Sequence, residues 1–125
     1  MPVSGDELSF LVDMARCASD IGEFTEGMSF RDFEKNRTVR LAVERQLGMI
    51  GQAACKINRK TRMSLANIPW AVIMGLKGKM AHGFGEVLPE RIWAISGNPL
   101  RKLLKDLEEI DEVREYIIDK KSGLK

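Results

Sequence analysis

Histidine and tyrosine each occur once in these 125 residues and cysteine twice, and no apolar run approaches the roughly 20 residues a membrane span requires. Each scarcity closes off a class of function. One imidazole and two distant thiols, Cys17 and Cys55, without a CxxC or Cys/His spacing, do not make a zinc site. Both cysteines stand among small and apolar neighbours and read as reduced core thiols. No serine or cysteine lies in a nucleophile elbow or beside a base, so covalent catalysis has no support. Lys plus Arg number 20 against 18 Asp plus Glu, a net +2. That balance is too weak to mark a nucleic-acid binder by bulk charge, and any such binding must come from local clustering. The start MPVSGDELSF has neither a basic n-region nor an apolar h-region, so a cytoplasmic location away from membranes is expected.

What is present suits one globular domain over residues 1–125, with hydrophobic residues at 44% and charged residues at 30%. Ser4-Gly5-Asp6-Glu7 signals a helix start, with a capping serine and acids in the first turn, and the pattern predicts helix from Ser4 to about Glu26. Ser29 and Asp32 have capping-box spacing, and Phe30 and Phe33 behind them are expected to lid one end of a bundle. The strongest periodicity runs from Val39 to Ile57, where Val39, Val43, Leu47, Ile50, Ala54 and Ile57 recur every three or four residues. Ala42, Gly51 and Ala53 make this long helix thin enough for a neighbour to approach closely.

The cluster Lys56-Ile57-Asn58-Arg59-Lys60-Thr61-Arg62 follows. Cations closing a helix at its C-terminus are favourable by themselves, and an RNA-docking patch is the alternative. Ser64 to Asn67 reads as a short loop, and Pro89 as the first turn of a later helix. Gly97-Asn98-Pro99 is a break. Leu100, Leu103, Leu104, Leu107, Ile110, Val113 and Ile117 predict one final helix to about Asp119, ahead of a frayed tail over 120–125. The expected fold is all-α, an up-and-down bundle of four long helices plus short helical pieces.

The chemistry concentrates between Ile68 and Val87, in IPWAVIMGLKGKMAHGFGEV. Asn67 can cap a helix with Pro69 in its first turn, and Trp70, Ile73, Met74 and Met80 give it a buried face, leaving Lys77, Lys79 and His82 for the other. Each helical glycine costs on the order of 1 kcal/mol relative to alanine, so Gly75 and Gly78 need a reason, such as close approach of another backbone or of a phosphate. Gly83 and Gly85 read as helix termination. An imidazole titrating near neutrality can take the proton from a ribose 2′-OH while lysine offsets charge building on the phosphorus oxygens. That chemistry needs no metal and no cofactor.

These residues carry a resemblance. The chain resembles the HepT-like branch of the HEPN superfamily, small helical proteins of prokaryotic toxin-antitoxin pairs. The likeness lies in AVERQLGMIGQA from Ala42 to Ala53, in Ile68-Pro69-Trp70 with Ile73 and Gly75, in Lys77 through His82, and in Ile92-Trp93. It implies a HEPN-like dimeric fold in which two signature helices face each other across a metal-independent ribonuclease cleft. It also implies a nucleotidyltransferase-fold antitoxin, which in some members adds nucleotide to a signature tyrosine. His82 matches the family's histidine, Lys77 takes the arginine position, Gly78 the polar position and Phe84 the tyrosine position. Lysine lacks the planar fork of arginine, glycine has no hydrogen-bonding side chain, and phenylalanine has no hydroxyl to modify, which excludes nucleotidylation at position 84.

Two readings follow. In the first, the chain is an endoribonuclease toxin with His82 as general base or acid, Lys77 and Lys79 as phosphate ligands, and Arg45 in support. In the second, the altered signature no longer cuts, and the chain is a binding subunit for the nucleotidyltransferase. In either, Gly75, Gly78 and Phe84 fall at the dimer or partner interface.

Overall fold

The computed structural model of the chain describes residues 5–81 and 88–121, with side chains described in 5–80 and 88–117. Helices α1 (Gly5–Phe24), α2 (Phe30–Lys35), α3 (Arg37–Cys55), α4 (Arg59–Ser64), α5 (Trp70–Ala81), α6 (Pro89–Ser96), α7 (Asn98–Glu108) and α8 (Asp111–Lys121) account for the ordered elements, and no strand occurs among the described residues. The all-α class is as expected. None of these helices is long and apolar enough to cross a membrane.

Helix α3 is the axis. Its row Val43, Leu47, Ile50 and Ala54 is fully buried, and it packs on α1 through Leu11, Met14, Ala15 and Ile21. A second flank of α3 carries α5. Helices α7 and α8 cover the far side of α1 with Leu103, Leu107 and Val113.

Local chemistry sets several boundaries where the spacing placed them. Ser29 accepts from the Asp32 amide at 3.1 Å, and Asp32 returns the bond to the Ser29 amide at 3.0 Å, closing the capping box. The bond from the Ser29 amide, followed by one from the Ser29 hydroxyl, holds the Asp32 carboxyl below its ordinary pKa. Phe33 is fully buried with its ring 5.1 Å from that of Trp93, and Phe30 lies 6.3 Å from the same ring, so α2 does lid the α6 end of the bundle. Pro89 opens α6.

Three local readings are corrected. Helix α3 ends at Cys55, and Arg59–Ser64 forms a separate helix that Asn58 caps by accepting from the Thr61 amide at 2.9 Å. The final apolar series is split between α7 and α8 at Glu109 and Ile110, without a glycine or proline to announce it. Cys17 is buried and its thiol is pushed up to about 11, first by burial and then by Asp20 and Asp13, whereas Cys55 is exposed and is not a core thiol. The Ser4 cap, Gly83 and Gly85 lie outside the described residues.

Glu7 does more than meet the helix dipole. Although it is a carboxylate, it is buried, and it accepts from the Asn58 amide and from the Thr61 hydroxyl, both at 2.5 Å. A buried charge is tolerable only when hydrogen-bonded, and here the bonds tie the first helix to the fourth.

Candidate functional site

Helix α5 is fixed at its start by Trp70, whose indole N–H donates to the Leu65 carbonyl at 3.0 Å, with Ile68 buried beside it. From there Ile73 and Leu76 turn inward. Opposite them, Gly51 removes the side chain that would hold α3 and α5 apart. A Cβ at position 51 would lie 2.5 Å from the Lys77 amide nitrogen and 3.1 Å from the Ile73 carbonyl oxygen. One turn earlier, a Cβ at Gly48 would lie 3.2 Å from the Cβ of Met80, and the Cys55 thiol is 3.8 Å from the Met74 carbonyl oxygen. These pairs run in opposite directions along the two helices, so α5 lies antiparallel to α3, and the backbone of Lys77 is held directly on Gly51.

The outward side of α5 has no partner among the described residues. Ala71, Val72, Gly75, Gly78 and Lys79 are exposed, with Val72 at 68%, and beyond the helix's own backbone no heavy atom of the described residues would come within 4 Å of a Cβ at Gly75 or Gly78. Among the described residues the close backbone approach is made at Gly51, on the opposite helix. Lys77 and Lys79 are both exposed, but positions two apart on a helix diverge by roughly 160°. Lys77 leaves the flank next to α3, and Lys79 belongs to the outward face; the structure does not bring them together. His82 and Phe84 lie outside the described residues.

Arg45 is exposed on α3. Its neighbour Glu44 is the residue that continues the row Gly48, Gly51, Cys55, which faces α5, one turn toward the C-terminal end of that helix. Glu44 is half-buried, and burial raises its pKa, with the nearby Arg40 guanidinium offsetting part of the rise. An acid at the head of that row was legible from the spacing of the small residues at 44+4 and 44+7, once the row was known to face a helix. Among the described residues, no group of histidine, cysteine and carboxylate side chains could hold a metal ion.

The model of the family described as ribonuclease HepT-like matches residues 14–110. Two proteins of Methanocaldococcus jannaschii, both named provisionally as RNases, are similar. One is 32% identical over 103 residues, covering 82% of this chain and 94% of its own; the other is 30% identical over 105 residues, covering 84% and 87%. A Thermococcus cleftensis protein named provisionally as ribonuclease HepT is 30% identical over 84 residues, covering 67% of this chain and 76% of its own. No solved structure matches the chain significantly. The family match spans α1 from Met14 through α7, so it takes in the α3–α5 seam and both of its flanks, and the chain belongs to the ribonuclease HepT-like family, a membership that supports a ribonuclease function.

Proposed function

We propose that this protein is the toxin of a type II toxin-antitoxin pair, a cytoplasmic, metal-independent endoribonuclease that works as a homodimer. The observation that carries the reading is the pinning of Lys77, the residue at the signature arginine position, onto Gly51, inside a chain of the ribonuclease HepT-like family. A fixed backbone sets where the lysine stem leaves α5 and so confines its ammonium to one side of the seam, within reach of a phosphate bound there.

In this reading His82 takes the proton from a ribose 2′-OH, the freed oxygen attacks the adjacent phosphorus, and the 5′-oxygen leaves with a proton from water, which the His82 imidazolium then replaces, giving a 2′,3′-cyclic phosphate and a 5′-hydroxyl. Lys77 offsets the charge on the non-bridging oxygens. Because Lys79 points away from Lys77, it serves best across the interface, toward the strand held by the second copy. Arg45 adds positive charge on the α3 side. The bare outward face of α5, with Val72 exposed and Gly75 and Gly78 open, supports a second copy meeting the first there, since small residues let two helix backbones approach. A nucleotidyltransferase-fold antitoxin would then act by binding, because Phe84 offers no hydroxyl to modify.

The test is cleavage of single-stranded RNA or tRNA by purified protein in the presence of a chelator. His82→Ala is expected to lower the rate by at least 100-fold, the usual worth of a general acid or base. Equal degradation by wild type and variant would remove His82 from the mechanism.

A second reading has specific support in Gly78, which presents no hydrogen-bonding group at the signature's polar position. There the chain binds the nucleotidyltransferase without cutting RNA. Co-purification with that partner, and no cleavage by the free protein at any pH between 5 and about 9, where an imidazole titrates, would establish it.

A further inference from the structure

The segment from Lys56 to Arg62 carries four cations and no acid in seven residues. A helix C-terminus would account for them, but α3 has already ended at Cys55, and Arg59 and Lys60 occupy the first turn of α4, the end of a helix dipole that disfavours positive charge. Two of the four have structural work. Lys56 lies over the Phe10 ring at 5.2 Å, and Arg62 donates to the Ile57 carbonyl at 2.7 Å. Arg59 and Lys60 are exposed and make no ion pair or hydrogen bond among the described residues. Met63, 67% exposed, sits three and four positions on, next to both on the helix surface. The nearest carboxylate of α1, Glu7, is buried and committed to Asn58 and Thr61.

We propose that Arg59 and Lys60 form a docking surface for the sugar-phosphate backbone of single-stranded RNA, separate from the α5 site and reached by the same strand. The inference rests on the ribonuclease reading and adds to it the length of substrate the protein grips. Helix α3 runs antiparallel to α5, so α4 stands at the opposite end of the seam from the C-terminal end of α5. Gly51 to Lys56 and Lys77 to Ala81 are nine residue steps in all, about 14 Å at 1.5 Å per residue. A stacked strand rising about 3.4 Å per nucleotide crosses that distance in about four nucleotides. Charge without apolar ground suits a polyanion better than a protein, whose interface would need a desolvated apolar centre, and Met63 is the one large apolar side chain exposed on α4. A base can lie on its thioether while the cations hold the flanking phosphates.

The experiment measures binding of full-length protein to fluorescent 2′-O-methyl RNA, which cannot be cut through a 2′-oxygen, at lengths of about 2 nucleotides, too short to span the two sites, and about 20 nucleotides, across a salt series. The double variant Arg59→Gln/Lys60→Gln is expected to bind the long strand on the order of tenfold more weakly. Its log–log salt slope should be shallower by about 1.4, two contacts at 0.7 each, with the short strand unaffected. Arg31→Gln/Lys35→Gln, which removes the same charge from α2, is expected to change both by less than about twofold, the residue of long-range screening. Thermal unfolding matched to wild type shows the exposed changes have left the fold alone. Unchanged long-strand affinity and slope in Arg59→Gln/Lys60→Gln would overturn the inference, and cleavage of unmodified RNA of the same length by wild type would show that the ribonuclease reading survives it. Equal loss for poly-glutamate and RNA would also overturn it, by making the surface a general anion patch suited to an acidic protein. Wild type that neither cuts nor binds RNA of either length would bring down both.

Discussion

Two pairs of helical glycines sit on either side of α5 and behave in opposite ways. Gly48 and Gly51, on α3, are filled by α5, with the Lys77 amide where a Cβ at 51 would have to go; Gly75 and Gly78, on α5 itself, face open space. The residue type is the same and so is the intrinsic cost in a helix. The first pair is repaid within the chain, by letting two backbones meet. The second pair has no such contact among the described residues. A glycine in a helix thus records that something comes close, without recording which molecule supplies it.

Substitutions can separate the two pairs. Gly51→Ala should be the most damaging, since the clash at 51 is with backbone rather than with a flexible side chain. A loss of about 2 kcal/mol is expected, within the usual range for overpacking, read as a lower midpoint in denaturant with the slope unchanged. A neutral result would mean α3 and α5 are not in contact there. Next in size, Gly75→Leu/Gly78→Leu should leave the helical signal intact while weakening self-association by about tenfold, close to 1.4 kcal/mol, in sedimentation at graded concentrations. If association persists unchanged, the outward face of α5 is not where two copies meet.

The smallest effect is expected at Glu44, at the head of the glycine row. Burial raises its pKa in the fold, so the folded chain holds that proton more tightly than the unfolded one does. The stabilisation is complete below the ordinary carboxylate pKa and is lost as pH climbs through the raised value. At neutral pH Glu44→Gln should therefore be neutral to slightly stabilising, by no more than about 0.5 kcal/mol because the group is only half-buried, and at pH 4 the gain should vanish. A destabilised variant at pH 7 would mean the carboxylate has a partner that the described residues do not include.

The legible parts of this fold are those that local chemistry decides. Ser29 with Asp32, Pro89 in α6, and the apolar rows of α1 and α3 could be read because a cap, a ring or a period acts over one or two turns. The end of α3 at Cys55 was hidden because Asn58 caps a new helix while the residues around it keep a helical composition. The break at Glu109 and Ile110 has no glycine or proline to mark it. The pairing of Glu7 with residues 51 and 54 positions away could not be read at all, because nothing local distinguishes a carboxylate that meets a dipole from one that crosses the bundle. At the candidate site, the helix over α5 was legible in the sequence, whereas the opposed directions of Lys77 and Lys79 emerged only once Gly51 fixed the rotation of the helix.

That long-range clasp has a consequence for how the molecule can be altered. A short helix of six residues has little cohesion of its own. If the acid at position 7 is what keeps it in place, the bearing of Arg59 and Lys60 is set from about fifty residues earlier in the sequence. Replacing Glu7 by glutamine would then be felt as a blurred grip on long polyanions, well before the core around Leu47 noticed anything missing.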